Sequence, residues 1–281
     1  MKKLVALLLA GMLMVSSFAA CGSSETLTAE VLEIELTSED YAFGVDKDDP
    51  QLLANINAFI AKIMEDGTFE TICNNYFGDG TPVAVTSAEE DPSKDQLLVA
   101  TNAEFAPFEY KEGAYYYGID MEIAAALAEY LGKELVIMDM DFDAVCLSVG
   151  QHKSDIAMAG LTVSEDRMEY VNFSTSYYNA SQKLIVKSDC TEFDACVTAA
   201  DVEAILNTKD ENTKIGVQNG TTGQLYVEGY EDWDFPGFPV KCVAYKNGAL
   251  AVQDLLNGNL NYVIIDSDPA TRITDAINEV Q

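Results

Sequence analysis

Histidine is almost absent from this chain of 281 residues: His152 is the only one, in the polar turn GQHKSD. Read as a surface residue, it leaves no histidine for a catalytic triad or a multi-histidine metal site. Basic residues are scarce as well. Lysine and arginine together number 16 against 47 acids, a formal charge of −31, and the arginines are Arg167 and Arg272 alone. With no basic cluster, nucleic acid and anionic headgroups are excluded as partners. Cysteines are few, and none has zinc-site spacing. Long apolar runs are confined to one stretch, Leu4 to Val15, too short for a convincing membrane span.

That run has Lys2 and Lys3 before it and the small residues SSFAA after it, which makes 1–20 a secretory signal. Cys21 follows directly and leads into Gly22-Ser23-Ser24, an arrangement that resembles a bacterial lipoprotein processing site. Cys21 would then carry a lipid, with 21–30 as a flexible tether to the outer face of the cytoplasmic membrane. The alternative is an ordinary cleaved signal with a free thiol at Cys21. Setting Cys21 aside leaves Cys73, Cys146, Cys190, Cys196 and Cys242, an odd set. Cys190 and Cys196 share one polar segment and could close a short loop.

Periodicity then organises the chain. VLEIEL (31–36) alternates like a strand, and Pro50 opens a helix with apolar residues near the 3.6 period. DGTFETICNNYFGDG (66–80) ends a second, shorter helix. Residues 80–95, with two prolines and many small or acidic residues, have linker composition. From QLLVATN (96–102) onward, apolar strands alternate with amphipathic helices to the end, which implies an α/β fold with two open, mostly parallel sheets.

Ligands bind such sheets at the carboxyl ends of the strands. Arg167 follows one of these ends and offers a planar donor fork for a carboxylate. Asp266 closes the apolar strand NYVII and suits an ammonium. NGTTG, with Thr221 and Thr222, precedes a helix and could present free N–H groups to an anion. Phe105 and Phe142 could wall an apolar ligand stem. Each has a plainer reading taken singly: a surface arginine, a helix N-cap, a turn, two core rings.

Together, the segments LLVATNAEFAPFEY, GIDMEIAAALAEYLG, DIAMAGLTVSEDRMEYVNFSTSYY, IGVQNGTTG and YVIIDSDPA resemble the successive motifs of bacterial extracellular solute-binding proteins, family 3, which feed polar amino acids to ABC importers. The resemblance implies the two-lobed periplasmic-binding-protein fold of type II-like form, with a two-strand hinge. It implies Arg167 as the clamp on the α-carboxylate, with a hydroxyl and N–H from Thr162 and donors from Thr221 and Thr222. It gives Asp266 and the Gly160 carbonyl to the ammonium, and Phe105 and Phe142 as aromatic walls. Asn102 stands where several members have an aspartate, and Gln218 where some have a charged residue. The pair points to a neutral polar side chain such as glutamine, although Glu104 adds a carboxylate nearby.

The order of the motifs differs from the family's. VLEIEL through NNYFG resembles the family's last segment, moved ahead of its first, as in a circular permutation whose old termini are joined by 80–95. The lobes then fall at 41–177 and at 182–281 plus 31–36, with hinges at 37–40 and 178–181. The expected protein is a monomeric, non-catalytic receptor that needs no cofactor or metal and meets an amino acid, a permease and, through its lipid alone, the membrane. Rival readings are a cyclohexadienyl-dehydratase-like enzyme on the same fold and a sensor module.

Overall fold

The computed structural model describes residues 27–280. The signal at 1–20, Cys21 and most of the tether lie outside them. The chain opens with β1 (Ala29–Val31), β2 (Glu39–Tyr41) and β3 (Gly44–Asp46), then α1 (Pro50–Glu65) and α2 (Thr68–Phe77). The Asp49 side chain caps α1 by accepting from Leu52 N at 2.8 Å, and Pro50 sits in the first turn, where a missing N–H costs nothing. Leu52, Ile56, Phe59, Ile60 and Ile63 form its buried stripe. Gly67, at φ +80°, makes the joint to α2.

Next come β4 (Gln96–Thr101), β5 (Glu104–Phe105), β6 (Glu109–Glu112), β7 (Tyr115–Tyr117), α3 (Ile119–Leu131) and β8 (Glu134–Asp139). They are followed by α4 (Phe142–Gly150), β9 (Ile156–Ala157), α5 (Glu165–Met168), β10 (Val171–Phe173), β11 (Tyr178–Ala180) and β12 (Gln182–Lys187). The chain finishes with α6 (Ala199–Leu206), β13 (Lys214–Gln218), α7 (Thr222–Glu228), β14 (Lys241–Tyr245), α8 (Gly248–Leu256), β15 (Tyr262–Asp266) and α9 (Ser267–Glu279).

Two five-stranded sheets form two lobes. One has the order β10-β3-β9-β4-β8, the other β1-β12-β15-β13-β14. Parallel pairing is confined to β9-β4-β8 in the first and β15-β13-β14 in the second. The remaining strands, β3, β10, β12 and β1, pair antiparallel. The sheets are therefore mixed, with a parallel core. A separate antiparallel ribbon, β2 with β11, joins the lobes, with Glu39 opposite Ala180 and Tyr41 opposite Tyr178.

The strand expected over 31–36 forms over Ala29–Val31 instead. Beyond it, Leu32 N bonds Leu184 O and Leu36 N bonds Gln182 O, both at 2.8 Å. The longer stretch on this side for a short stretch of β12 is a bulge, so the regular ladder stops. Cys190 and Cys196 are free thiols and close no loop. Each ends its own turn, on Lys187 O and on Phe193 O, with the buried Phe193 between them. Among the described residues no helix is long and apolar enough to cross a membrane.

The 80–95 segment is laid along the first lobe. Val85 is buried and exchanges two backbone hydrogen bonds with Tyr116, and Ser87 Oγ accepts from Ile137 N. Glu122 on α3 fastens its start: one carboxylate oxygen accepts from the Tyr76 hydroxyl and Val83 N, the other from Asn75 Nδ2. Glu122→Leu strands the buried Tyr76 hydroxyl and two part-buried donors and should lower the unfolding free energy by roughly 2–3 kcal/mol. Urea unfolding measures it, and a loss under about 0.5 kcal/mol, the level of an ordinary surface change, would contradict the clasp.

Candidate ligand cleft

The strand ends of the two sheets face each other beside the β2–β11 ribbon. From the first lobe come the loops after β4 and β9 and the start of α4. From the second come the turn after β13 and the end of β15. The sequence-predicted residues gather here, with one exception at the rim.

Arg167 sits on α5, whose first turn is capped by Ser164. Its guanidinium lies over the Phe142 ring at 5.2 Å and donates to Thr162 O at 2.6 Å. It also reaches the other lobe, donating to Gly220 O at 3.2 Å. Gly160 has φ +54° and a Cβ there would stand 3.2 Å from the Phe105 and Tyr41 rings, so only glycine fits without strain. Thr162 is buried, and its hydroxyl donates to Glu39 Oε2 at 2.6 Å. Thr221 precedes α7 and spends its hydroxyl proton on Gln218 O at 2.8 Å; Thr222 is buried beside it.

Asp266 holds the N-cap position of α9 but makes no cap bond. Its carboxyl turns to the cleft and accepts the Tyr41 hydroxyl at 2.5 Å. Burial pushes this group up to about 7, and the neighbouring Glu39 carboxylate adds to the shift. At the other end, Gln218 Nε2 donates across the lobes to Asn102 Oδ1 at 3.0 Å, while Asn102 Nδ2 holds Met140 O. Gln218 Oε1 is buried without a partner.

Glu104 is the exception. It lies at the exposed rim, accepts from Asn247 Nδ2 at 2.7 Å and faces Lys246 at 3.9 Å. It therefore helps zip the lobes rather than line the interior. Phe105 and Phe142 each have a neighbour of their own. Phe105 packs towards Phe108, and Phe142 lies under Arg167.

Sequence reasoning passed over Glu39, Tyr41, Glu109 and Asp120. Asp120 is fully buried, accepts from Gly160 N and the Tyr177 hydroxyl, and is raised by burial to about 7. Glu109 is wholly buried with neither oxygen partnered, and burial, then Asp120 and Asp266, hold its carboxyl well above the usual range. The signal for Glu39 and Tyr41 was their place at or next to the expected hinge 37–40, on the segment that crosses between lobes. Among the described residues, Asp46, Asp48 and His152 alone bring three ligand-type atoms within 4.8 Å. His152 Nδ1 bonds Asp46 Oδ2 directly at 2.6 Å on the surface, an arrangement that needs no metal.

Two α/β lobes on a two-strand joint, with the Arg167 guanidinium reaching from one lobe to Gly220 of the other, define a two-lobed binding protein of the periplasmic type. The family profile for bacterial extracellular solute-binding proteins, family 3, matches residues 97–269, and the chain belongs to that family. It is similar to the arginine-binding extracellular protein ArtP of Bacillus subtilis (strain 168), 34% identical over 109 residues, 39% of this chain and 43% of that protein. A probable histidine-binding protein of Neisseria gonorrhoeae is 29% identical over 191 residues, 68% of this chain and 65% of that one. Among solved structures, an ancestral amino acid-binding protein described as a precursor of cyclohexadienyl dehydratase aligns with TM-score 0.56 and 28% identity, over 65% of this chain and 75% of that one. The chain spans less than two thirds of the length of these curated relatives.

An acid whose pKa is higher folded than unfolded favours the fold while both forms are protonated, below about pH 4. That contribution is lost as the pH rises through about 7 for Asp120 and Asp266. Urea unfolding of the ligand-free protein should therefore show more stability at about pH 5 than at about pH 8. Asp266→Asn should narrow the difference; an unchanged difference would show that Asp266 does not carry it.

Proposed function

We propose that this protein captures a free amino acid between its closing lobes and delivers it to an ABC transporter. The observation that carries the reading is that Arg167, on the first lobe, holds Thr162 O and reaches Gly220 O of the second lobe, while the Thr162 hydroxyl bonds Glu39, the neighbour of Asp266. Free amino acids carry the complementary charges on adjacent atoms. Contacts to both lobes exist only in the closed form, so the ligand shifts the population towards closure.

The hydroxyl bonds assign the remaining roles. Thr162 and Thr221 have each given their single proton away, so their oxygens are left as acceptors. Thr162 Oγ1 then joins Asp266 and Gly160 O around the ammonium, while its backbone, with Arg167 and Thr222, serves the carboxylate. The ligand's side chain meets Asn102 and Gln218. The relatives named above are described as binding arginine and histidine. Here both interior groups are neutral amides and Glu104 is engaged at the rim, which favours a neutral polar side chain such as that of glutamine. The unpartnered Gln218 Oε1 offers such an amide an acceptor. An eliminating enzyme would need a free acid or base in the cleft; Glu104 is held by Asn247 and Lys246, and Asp266 is placed for an ammonium.

The chain order is part of the same proposal: a circularly permuted family member anchored by lipid at Cys21, with lobes at 41–177 and at 182–281 plus the front strand. Two contacts support the permutation. Asn278, near the end of α9, bonds both the N–H and the carbonyl of Ala29 in β1. Thus α9 runs up to the strand that would follow it in the family's order. The end of α2 is joined to β4 by the segment fastened at Glu122.

Thermal shift of residues 22–281 against the twenty amino acids and cystine tests the reading. A true ligand at a hundredfold excess over its Kd stabilises by about 2.7 kcal/mol. Arg167→Ala should lose that shift. No shift with any of them would refute the receptor assignment.

A further inference from the structure

Glu39 sits on the ribbon strand β2, nearly fully buried, between residues of both lobes. Its Oε1 accepts from the Thr37 hydroxyl at 2.6 Å and from Gln182 Nε2 at 3.1 Å. Its Oε2 accepts from the Thr162 hydroxyl at 2.6 Å. Gln182 lies on β12, directly opposite Asp266 on β15. One carboxylate thus meets the first lobe at Thr162 and the second at Gln182, next to the carboxyl assigned to the ammonium. Asp266 is held by Tyr41, two residues further along the same strand as Glu39. No basic side chain bonds to Glu39 among the described residues, so its partners are all neutral donors.

A hydroxyl has one proton and two lone pairs. With that proton committed to Glu39, Thr162 Oγ1 can only accept. We propose that Glu39 is a positioning residue for the amino acid's ammonium: by taking the Thr162 proton it fixes Thr162 as an acceptor, and by holding Gln182 it couples that setting to the second lobe. The proposal rests on the amino-acid reading above and deepens it. The ammonium end becomes an all-acceptor pocket of Thr162 Oγ1, Asp266 and Gly160 O, matched to a primary ammonium with three N–H groups. It disfavours an α-hydroxy acid, which offers one donor for three acceptors and no charge.

Glu39→Gln keeps the shape and reverses the logic. The amide oxygen of the variant stays with Thr37 and Gln182, both donors, so its amide nitrogen faces Thr162. Thr162 must then accept from that nitrogen and turn its own proton towards the ammonium.

The test is a double-mutant cycle on residues 22–281. The probes are the amino acid that binds the parent most tightly among the twenty and its α-hydroxy acid. Glu39→Gln should weaken the amino acid at least about tenfold and narrow its preference over the hydroxy acid. In a Thr162→Val background, where no hydroxyl remains to orient, Glu39→Gln should change affinity less than about twofold. Thr162→Ser, which retains the hydroxyl, should bind within a few-fold of the parent. Unliganded melting temperatures identify a variant that is merely unfolded. Additive losses, or parental affinity and preference in Glu39→Gln, would overturn the role of Glu39 alone. A parent that binds none of the twenty would overturn the amino-acid reading and this inference with it.

Discussion

A carboxyl group taken out of water must find a cation, a set of donors or a proton. Four of them, Glu39, Glu109, Asp120 and Asp266, are buried around the ribbon that joins the lobes, and no lysine or arginine bonds to any of them among the described residues. Asp120, Glu39 and Asp266 are met by neutral donors, and Glu109 has none. The shifts of Asp120, Asp266 and Glu109 all follow from burial first. In the proposed reading an arriving ammonium meets Asp266 and offsets the cost of its buried charge. The guanidinium of Arg167, the one arginine at the cleft among the described residues, suits a carboxylate in the same reading.

The fold exists to bring those ends together. Parallel strands end at one edge of each sheet, and the lobes are turned so that these edges face. The rim is closed by pairs that have no role with the ligand in the proposed reading: Asn219 with Asp143, Asn247 with Glu104, and Lys246 with Asp141. Exposed pairs of this kind contribute little individually. In the proposed reading such weak pairs suit lobes that part to release a ligand.

The α/β alternation and the two-lobed fold were legible in the sequence because they depend on local periodicity, and the strand-end places of Arg167 and Asp266 were read from the same pattern. Glu39 and Tyr41 were not. They stand at the front of the chain, 225 residues from Asp266 in the case of Tyr41, and only the fold brings them to it. Glu104 was misdirected because a strand end gives a residue's neighbourhood but not which way its side chain turns. VLEIEL alternated correctly yet bulged, since its register depends on β12, a partner that the pattern does not reveal. The thiols of Cys190 and Cys196 lie close in sequence, but each ends a separate turn and both are free.

Isothermal titration of one ligand series bears most directly on the central claim, that the cleft reads the adjacent ammonium and carboxylate of an amino acid. The series is L-glutamine, its decarboxylated amine and its α-hydroxy acid. With both Arg167 and Asp266 in use, each analogue should bind at least a hundredfold more weakly than the amino acid, about 2.7 kcal/mol. Equal affinity of either analogue with the amino acid would show that the charge it lacks is not recognised.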